Sequence, residues 1–412
     1  MEAGKQHRAL EGVRVLDLSR VLAGPWSTQI LADLGADVLK VELPGKGDDT
    51  RGWGPPFLKL PDGSDDPRES AYYLCANRNK RSAAINLAHP DGAALIRRLA
   101  ERADIMVENF KVGGLAKYGL DYDSMRAINP RLVYCSITGF GQTGPYADRP
   151  GYDFVAQGMG GFMSITGEEH GGPLRAGVAM ADISTGMYAT VSMLAALRHA
   201  ERTGEGQHID ISLLDTQIAT LANQASNWLV GGVDPVRMGN RHPTVVPYKT
   251  FRVKDGEIII AVGNDGQFRS FCVEMGRPEL ADDPRFVTGS QRLINRDAIE
   301  GIFQDIVADL EGGPLVERLV AINVPAGPVN TIRDIFADPF IAARKTVHRF
   351  VREDGVEIPA VAFPAKLSAT PADYRHRPPR IGENTRELLH EWLVLEDAEL
   401  AALEAGGAVV QR

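Results

Sequence analysis

Three stretches of the 412-residue chain carry side chains whose types and spacing could do chemistry. Asn77-Arg78-Asn79-Lys80-Arg81 places three cations and two amides in five consecutive residues. An arginine fork suits a carboxylate and a lysine suits a phosphate, so this stretch reads either as an anion site or as a solvated loop. Ala261–Phe268, AVGNDGQF, is a glycine-bearing loop after a strand, and it reads either as a tight turn or as a lid over a reactive centre. Asp182, in RAGVAMADISTGMYA, opens an apolar helix. As an N-cap its carboxylate would accept backbone N–H bonds. As a nucleophile it would stand where helix N–H donors can meet a developing oxyanion. Residue types alone leave each of these pairs open.

Other chemistries find little support. The chain has no HExxH, and its nine histidines are scattered, which argues against a metal site. It also lacks the GxSxG nucleophile elbow and the GxxxxGK[ST] phosphate loop, so nucleotide triphosphates are not expected. SRVLAGPW follows the first strand where a dinucleotide-binding fold would carry GxGxxG. With 45 Lys and Arg against 54 Asp and Glu, the net charge of −9 disfavours nucleic-acid and membrane partners but permits a local basic pocket. Cys75, Cys135 and Cys272 are far apart and read as thiols of a reducing compartment. The polar start MEAGKQHRALEG and the lack of a run of ~18 apolar residues lead to the expectation of a cytoplasmic protein, with a cleaved organelle presequence left open.

The elements that must position these residues alternate in type. Val13–Leu18, Asp37–Val41, Asp104–Val107 and Arg131–Ile137 read as strands, with helices running to about Leu34 and from Pro90 onward. Such alternation predicts an α/β fold with a doubly wound parallel sheet, whose ligands sit beyond the carboxyl ends of the strands. A long helix spans about Asp182 to Arg202 and is capped by Gly204. Tyr248–Val253 and Glu257–Val262 flank Asp255-Gly256 as a hairpin, and a second hairpin surrounds Asp354-Gly355. The composition change after Trp228 sets the expected domains at 1–225, 226–330 and 331–412.

Taken in order, LEGVRVLDLSRVLAGPWSTQILADLGADVLKVELPG, NRNKRS, VENF, CSITGFGQTGP, GYDF, the Asp182 segment, TGEGQHIDISLLD and IGENT carry a resemblance to the class III, formyl-CoA transferase type, CoA-transferases along essentially the whole chain. GDDTRGWGPPF, NRNK and GVAMADISTGMYA make it most similar to the succinyl-CoA-dependent dicarboxylate type, such as the succinyl-CoA:glutarate enzymes. The resemblance implies a large Rossmann-like domain built from both chain ends, a smaller inserted α/β domain and an interlocked, ring-like homodimer. It also implies coenzyme A, as acyl-CoA, for a substrate, and no metal.

By motif, the family nucleophile falls on Asp182. Arg20, Val21, Ala23, Lys80, Asn109 of VENF and Lys117 match segments that meet CoA in relatives. Lys117 stands where formyl-CoA transferase has arginine, which preserves a phosphate contact but not a bidentate one. The GNDGQ segment takes the place of that enzyme's glycine-rich lid, with Gly263 and Gly266 as candidate oxyanion donors. A dicarboxylate acceptor needs a cation for its second carboxylate. Arg78 is the first candidate and Arg292 the second, both matching arginines of the glutarate-type relative.

Two rivals are weaker. An α-methylacyl-CoA racemase would carry a histidine base in a GHD motif, but this chain has Gly151-Tyr152-Asp153. A tyrosine with a pKa near ~10 is a poor base, so Tyr152 reads as a substrate contact or as packing. A non-catalytic acyl-CoA-binding protein would have no need of Asp182.

Overall fold

A computed structural model describes residues 7–411. The chain forms two compact units, the first taking in residues up to Phe162, Arg175–Gly232 and everything from Ala342 on. The second comprises Met163–Leu174 and Val233–Ile341. The excursion at 163–174 was not expected, and the second unit begins seven residues later and ends eleven later than the expected 226–330.

In the first unit, β1 (Arg14–Asp17), β2 (Asp37–Glu42), β3 (Lys80–Ile85), β4 (Ile105–Glu108), β5 (Val133–Thr138) and β6 (His208–Ser212) form a parallel sheet. Its order is β3-β2-β1-β4-β5-β6, with the short antiparallel strand Val409–Val410 beside β3. Successive strands run outward one way from β1 and then, from β4, the other way. The order therefore reverses between β1 and β4, and the loops leaving these two strands diverge into a crevice. Neighbouring side chains in β1 serve opposite faces. Leu16 joins the core under helices Pro90–Ala100 and Thr385–Leu393, while Val15 joins the core under α1 (Ala23–Asp33) and α3 (Met180–Thr203). The short helix α2 (Asp153–Met159) precedes α3 in the chain.

Two of the six parallel strands, β3 and β6, escaped the sequence reading. β3 begins in the cationic stretch that could equally have been a solvated loop, yet Lys80 and Arg81 are buried. In the second unit, Tyr248–Val253, Gly256–Ala261 and Ala326–Pro328 form an antiparallel sheet over a core that includes Phe251, Ile260, Phe271 and Phe303. Among the described residues, no helix is long and apolar enough to cross a membrane, and no cluster of three His, Cys, Asp or Glu could hold a metal.

Candidate active site

The crevice at the strand-order reversal is a cleft of about 310 Å³ whose walls include Arg20–Ala23, Asn109–Val112, Ile137–Gly139, Ala147–Tyr152 and Asp182. It thus gathers Asp182 with Arg20, Val21, Ala23, Asn109 and Tyr152. Arg20 and Phe110 also line a second cleft of about 190 Å³ with apolar walls that include Leu18, Val41, Leu43 and Tyr118. One extended ligand could therefore pass from Asp182 over Arg20 and Phe110 into an apolar slot.

Asp182 lies in the first turn of α3, but it is not the cap, because the helix starts at Met180. The capping carboxylate comes from Asp153, whose Oδ1 accepts the N–H groups of Ala181 at 2.7 Å and Asp182 at 3.2 Å. Asp153 Oδ2 accepts from Gln157 Nε2 at 2.7 Å, and Gln157 Oε1 accepts the Ala176 N–H at 2.9 Å. One carboxylate thus neutralises the helix end, which leaves the Asp182 carboxyl free of capping duty. Burial, with the Asp153 charge adding to it, pushes Asp182 up to about 7. Asp182 in turn adds to burial in holding Tyr72 up at about 12.

Two close approaches fix this geometry. A Cβ on Gly186, one turn beyond Asp182, would lie 2.8 Å from the Ala23 carbonyl oxygen, so only glycine lets α1 come this near α3. A Cβ on Gly151 would lie 2.5 Å from the Gly139 Cα, so this glycine pair joins the end of β5 to the Tyr152–Asp153 segment.

The loop after β1 is held from several sides. Val21 has φ +71°, a left-handed conformation costly for a β-branched residue. Asn109 grips the preceding residue at both ends, Oδ1 accepting the Arg20 N–H at 2.9 Å and Nδ2 donating to the Arg20 carbonyl at 2.7 Å. Asp48 Oδ1 accepts the Val21 N–H at 3.3 Å, and Asp48 Oδ2 pairs with Lys40 Nζ at 3.0 Å. Arg20 Nη1 meets Asp49 at 2.9 Å, with the guanidinium over the Phe110 ring.

Several residues expected to meet a ligand are engaged by partners within the protein. Lys80 does not line the Asp182 cleft; all three of its donors are used internally, by Asp17 at 3.1 Å, the Pro25 carbonyl at 2.9 Å and Asn77 at 3.0 Å. Burial lowers its ammonium to about 8. Arg78 gives its fork to Asp33, Nε at 3.0 Å and Nη2 at 2.5 Å. Arg292 is likewise committed, to the Val246 and Phe286 carbonyls at 3.0 Å and to Asp265 at 2.7 Å. Arg78 thus has two of its three nitrogens engaged and Arg292 all three. Lys117 is exposed next to Tyr118 of the apolar cleft.

In the second unit, Asn264 caps helix Asp265–Glu274. Gly263 donates its N–H to Gln267 Oε1 at 2.8 Å, and Gly266 lies within the first helical turn. The sequence reading missed Asp153, Asp48 and Tyr72. For Asp153 the available signal was an acid after the Pro150-Gly151 break.

Residues 10–385 match the family described as CoA-transferase family III. A succinate–glutarate CoA-transferase of Agrobacterium fabrum is 51% identical over 387 residues, covering 94% of this chain and 96% of its own. The human succinyl-CoA:glutarate CoA-transferase is 41% identical over 408 residues, covering 98% of this chain and 90% of its own. A crystal structure of a CAIB/BAIF family protein from Brucella suis is 48% identical and superposes with a TM-score of 0.82, covering 94% of this chain and all of that one.

Proposed function

The chain belongs to CoA-transferase family III, and we propose that it moves coenzyme A from succinyl-CoA to glutarate or a close dicarboxylate through covalent intermediates on Asp182. The observation that carries this reading is the pair of adjoining clefts, with a reactive carboxyl in one and an apolar slot in the other. An acyl-CoA has that form: a thioester at one end and an adenine at the other. Arg20, Val21, Ala23, Asn109 and Phe110 would meet the pantetheine arm, and Lys117 a phosphate.

The Asp182 carboxylate attacks the succinyl-CoA carbonyl and expels CoA thiolate, leaving an aspartyl–succinyl anhydride. The thiolate then attacks the aspartyl carbonyl, releasing succinate and forming an aspartyl–CoA thioester. Glutarate attacks that thioester, giving an aspartyl–glutaryl anhydride and the thiolate again. The thiolate finally takes the glutaryl carbonyl, and Asp182 is regenerated. One thioester replaces another, so no ATP is consumed, and each covalent step divides a difficult exchange.

A carboxyl raised to about 7 is a stronger nucleophile than an ordinary aspartate once it is ionised. Both intermediates hydrolyse readily, so water must be kept out. By family resemblance, Gly263 and Gly266 would serve as oxyanion donors in a closing loop, which requires the Gly263 N–H to leave Gln267 Oε1.

The same reading takes the protein as a homodimer. Exposed Phe154, Met159, Met187, Tyr188, Trp228 and Val230 give the first unit apolar surface that a second copy would cover.

The test is an acceptor panel with succinyl-CoA, read by mass spectrometry of the acyl-CoA products. Glutaryl-CoA should form with an equal amount of succinate. Release of free CoA and succinate alone would make the protein a hydrolase and overturn the proposal.

A further inference from the structure

We propose that Arg149 is the residue that selects substrates with a second carboxylate, an inference that rests on the transferase reading and names its substrate contact. Three cations line the Asp182 cleft: Arg20, Lys111 and Arg149. Arg20 is paired with Asp49 at 2.9 Å. Arg149 makes no side-chain hydrogen bond or ion pair among the described residues, so its fork is open, and its guanidinium stacks over the Tyr146 ring at 3.9 Å. Stacking holds the plane in place while leaving its edge to a carboxylate, which a guanidinium grips bidentately and an ammonium such as Lys111 cannot.

The position is fastened as well. Arg149 lies three residues before Tyr152 and four before Asp153, whose carboxylate is bonded to the helix that carries Asp182. Gly151 of the same segment packs against Gly139 at the end of β5. The cation is therefore tied to the nucleophile through a short, anchored stretch of chain.

The chemistry requires one cation for both substrates. Donor and acceptor acyl groups are carried in turn on the Asp182 carboxyl group, each as an anhydride with its far carboxylate pointing away. Succinyl and glutaryl differ by one methylene, a difference that a long arginine resting on a ring can absorb. An acetyl group has nothing for the fork to hold.

The experiment compares wild type with Arg149→Met, which keeps the length and removes the charge, and with Arg149→Lys. Rates are taken with succinyl-CoA and glutarate, and with acetyl-CoA and acetate. Arg149→Met should lose roughly 30-fold to 1,000-fold in kcat/KM for succinyl-CoA and for glutarate, and less than about threefold for the acetyl pair. Arg149→Lys should fall between. Equal loss for all acyl groups would make Arg149 a contact of the CoA portion, and no loss would make it a bystander; either result overturns the proposal. Binding of glutarate against valerate, followed by ligand-observed NMR, decides the matter without turnover. A wild-type preference for glutarate that Arg149→Met abolishes supports the inference even if no CoA exchange occurs, and a preference that survives rejects it. Absence of exchange in the wild type would count against the transferase reading alone.

Discussion

Replacing Asp153 by Asn tests how the nucleophile is tuned. The Asp153 carboxylate shares its Oδ1 with the Asp182 N–H, so two acids stand side by side at one helix end. Burial and then this neighbour lift Asp182 to about 7. Two unit charges ~5 Å apart at an effective dielectric of about 20 repel by about 3 kcal/mol. Solvent in an open cleft reduces that, and removal of the charge should lower the Asp182 pKa by about one unit. Burial remains, so the value stays above that of an ordinary carboxyl.

The variant also pays a structural cost. Asn can keep one oxygen for the two α3 N–H groups, but its amide nitrogen then faces Gln157 Nε2. If Gln157 flips to answer, its own nitrogen faces the Ala176 N–H instead. One buried hydrogen bond is lost in either arrangement, worth about 1–3 kcal/mol of stability. The assay is kcat/KM for succinyl-CoA against pH at saturating acceptor. Protonated Asp182 cannot attack, so wild-type activity should rise as pH climbs through about 7. Asp153→Asn should reach its own plateau about one unit lower. An acid limb that stays in place or moves upward would refute the coupling.

Further outcomes follow from the same geometry. Asp182→Asn should be more stable than wild type at pH 8 by about 1–3 kcal/mol in chemical denaturation. The sign follows from a folded pKa raised from 3.8 to about 7: Asp182 favours the fold below its unfolded pKa, and that favour is lost as pH rises through the folded value. The two proteins should converge near pH 4. Lys80→Met strands Asp17 in the interior and should cost about 3–5 kcal/mol of stability, whereas a phosphate-binding lysine would change only the KM for CoA. Gly151→Ala forces a methyl onto the Gly139 Cα and should cost about 1–3 kcal/mol, read from the denaturation midpoint, with a larger fractional loss of kcat.

The alternation of apolar strands and helices was legible because a parallel sheet buries both strand faces, as VRVLDL shows. β3 was hidden because its first two residues are Lys80 and Arg81, cations buried against Asp17 of β1 and Asp37 of β2. No local pattern reveals a partner more than forty residues away. The same distance problem misplaced the start of α3. A capping acid was sought within the helix segment, but the carboxylate comes from Asp153 in another helix. Motif likeness led to Asp182, Arg20 and Asn109, which the crevice does bring together. It also suggested Arg78 and Arg292, whose acid partners, the buried Asp33 and the exposed Asp265, no motif discloses.

The most direct test of the central claim is peptide mapping after incubation with succinyl-CoA and trapping with hydroxylamine. The account predicts a hydroxamate on the peptide carrying Asp182, absent when succinyl-CoA is omitted and absent from Asp182→Ala. A hydroxamate on another residue, or an adduct that survives in Asp182→Ala, would contradict it.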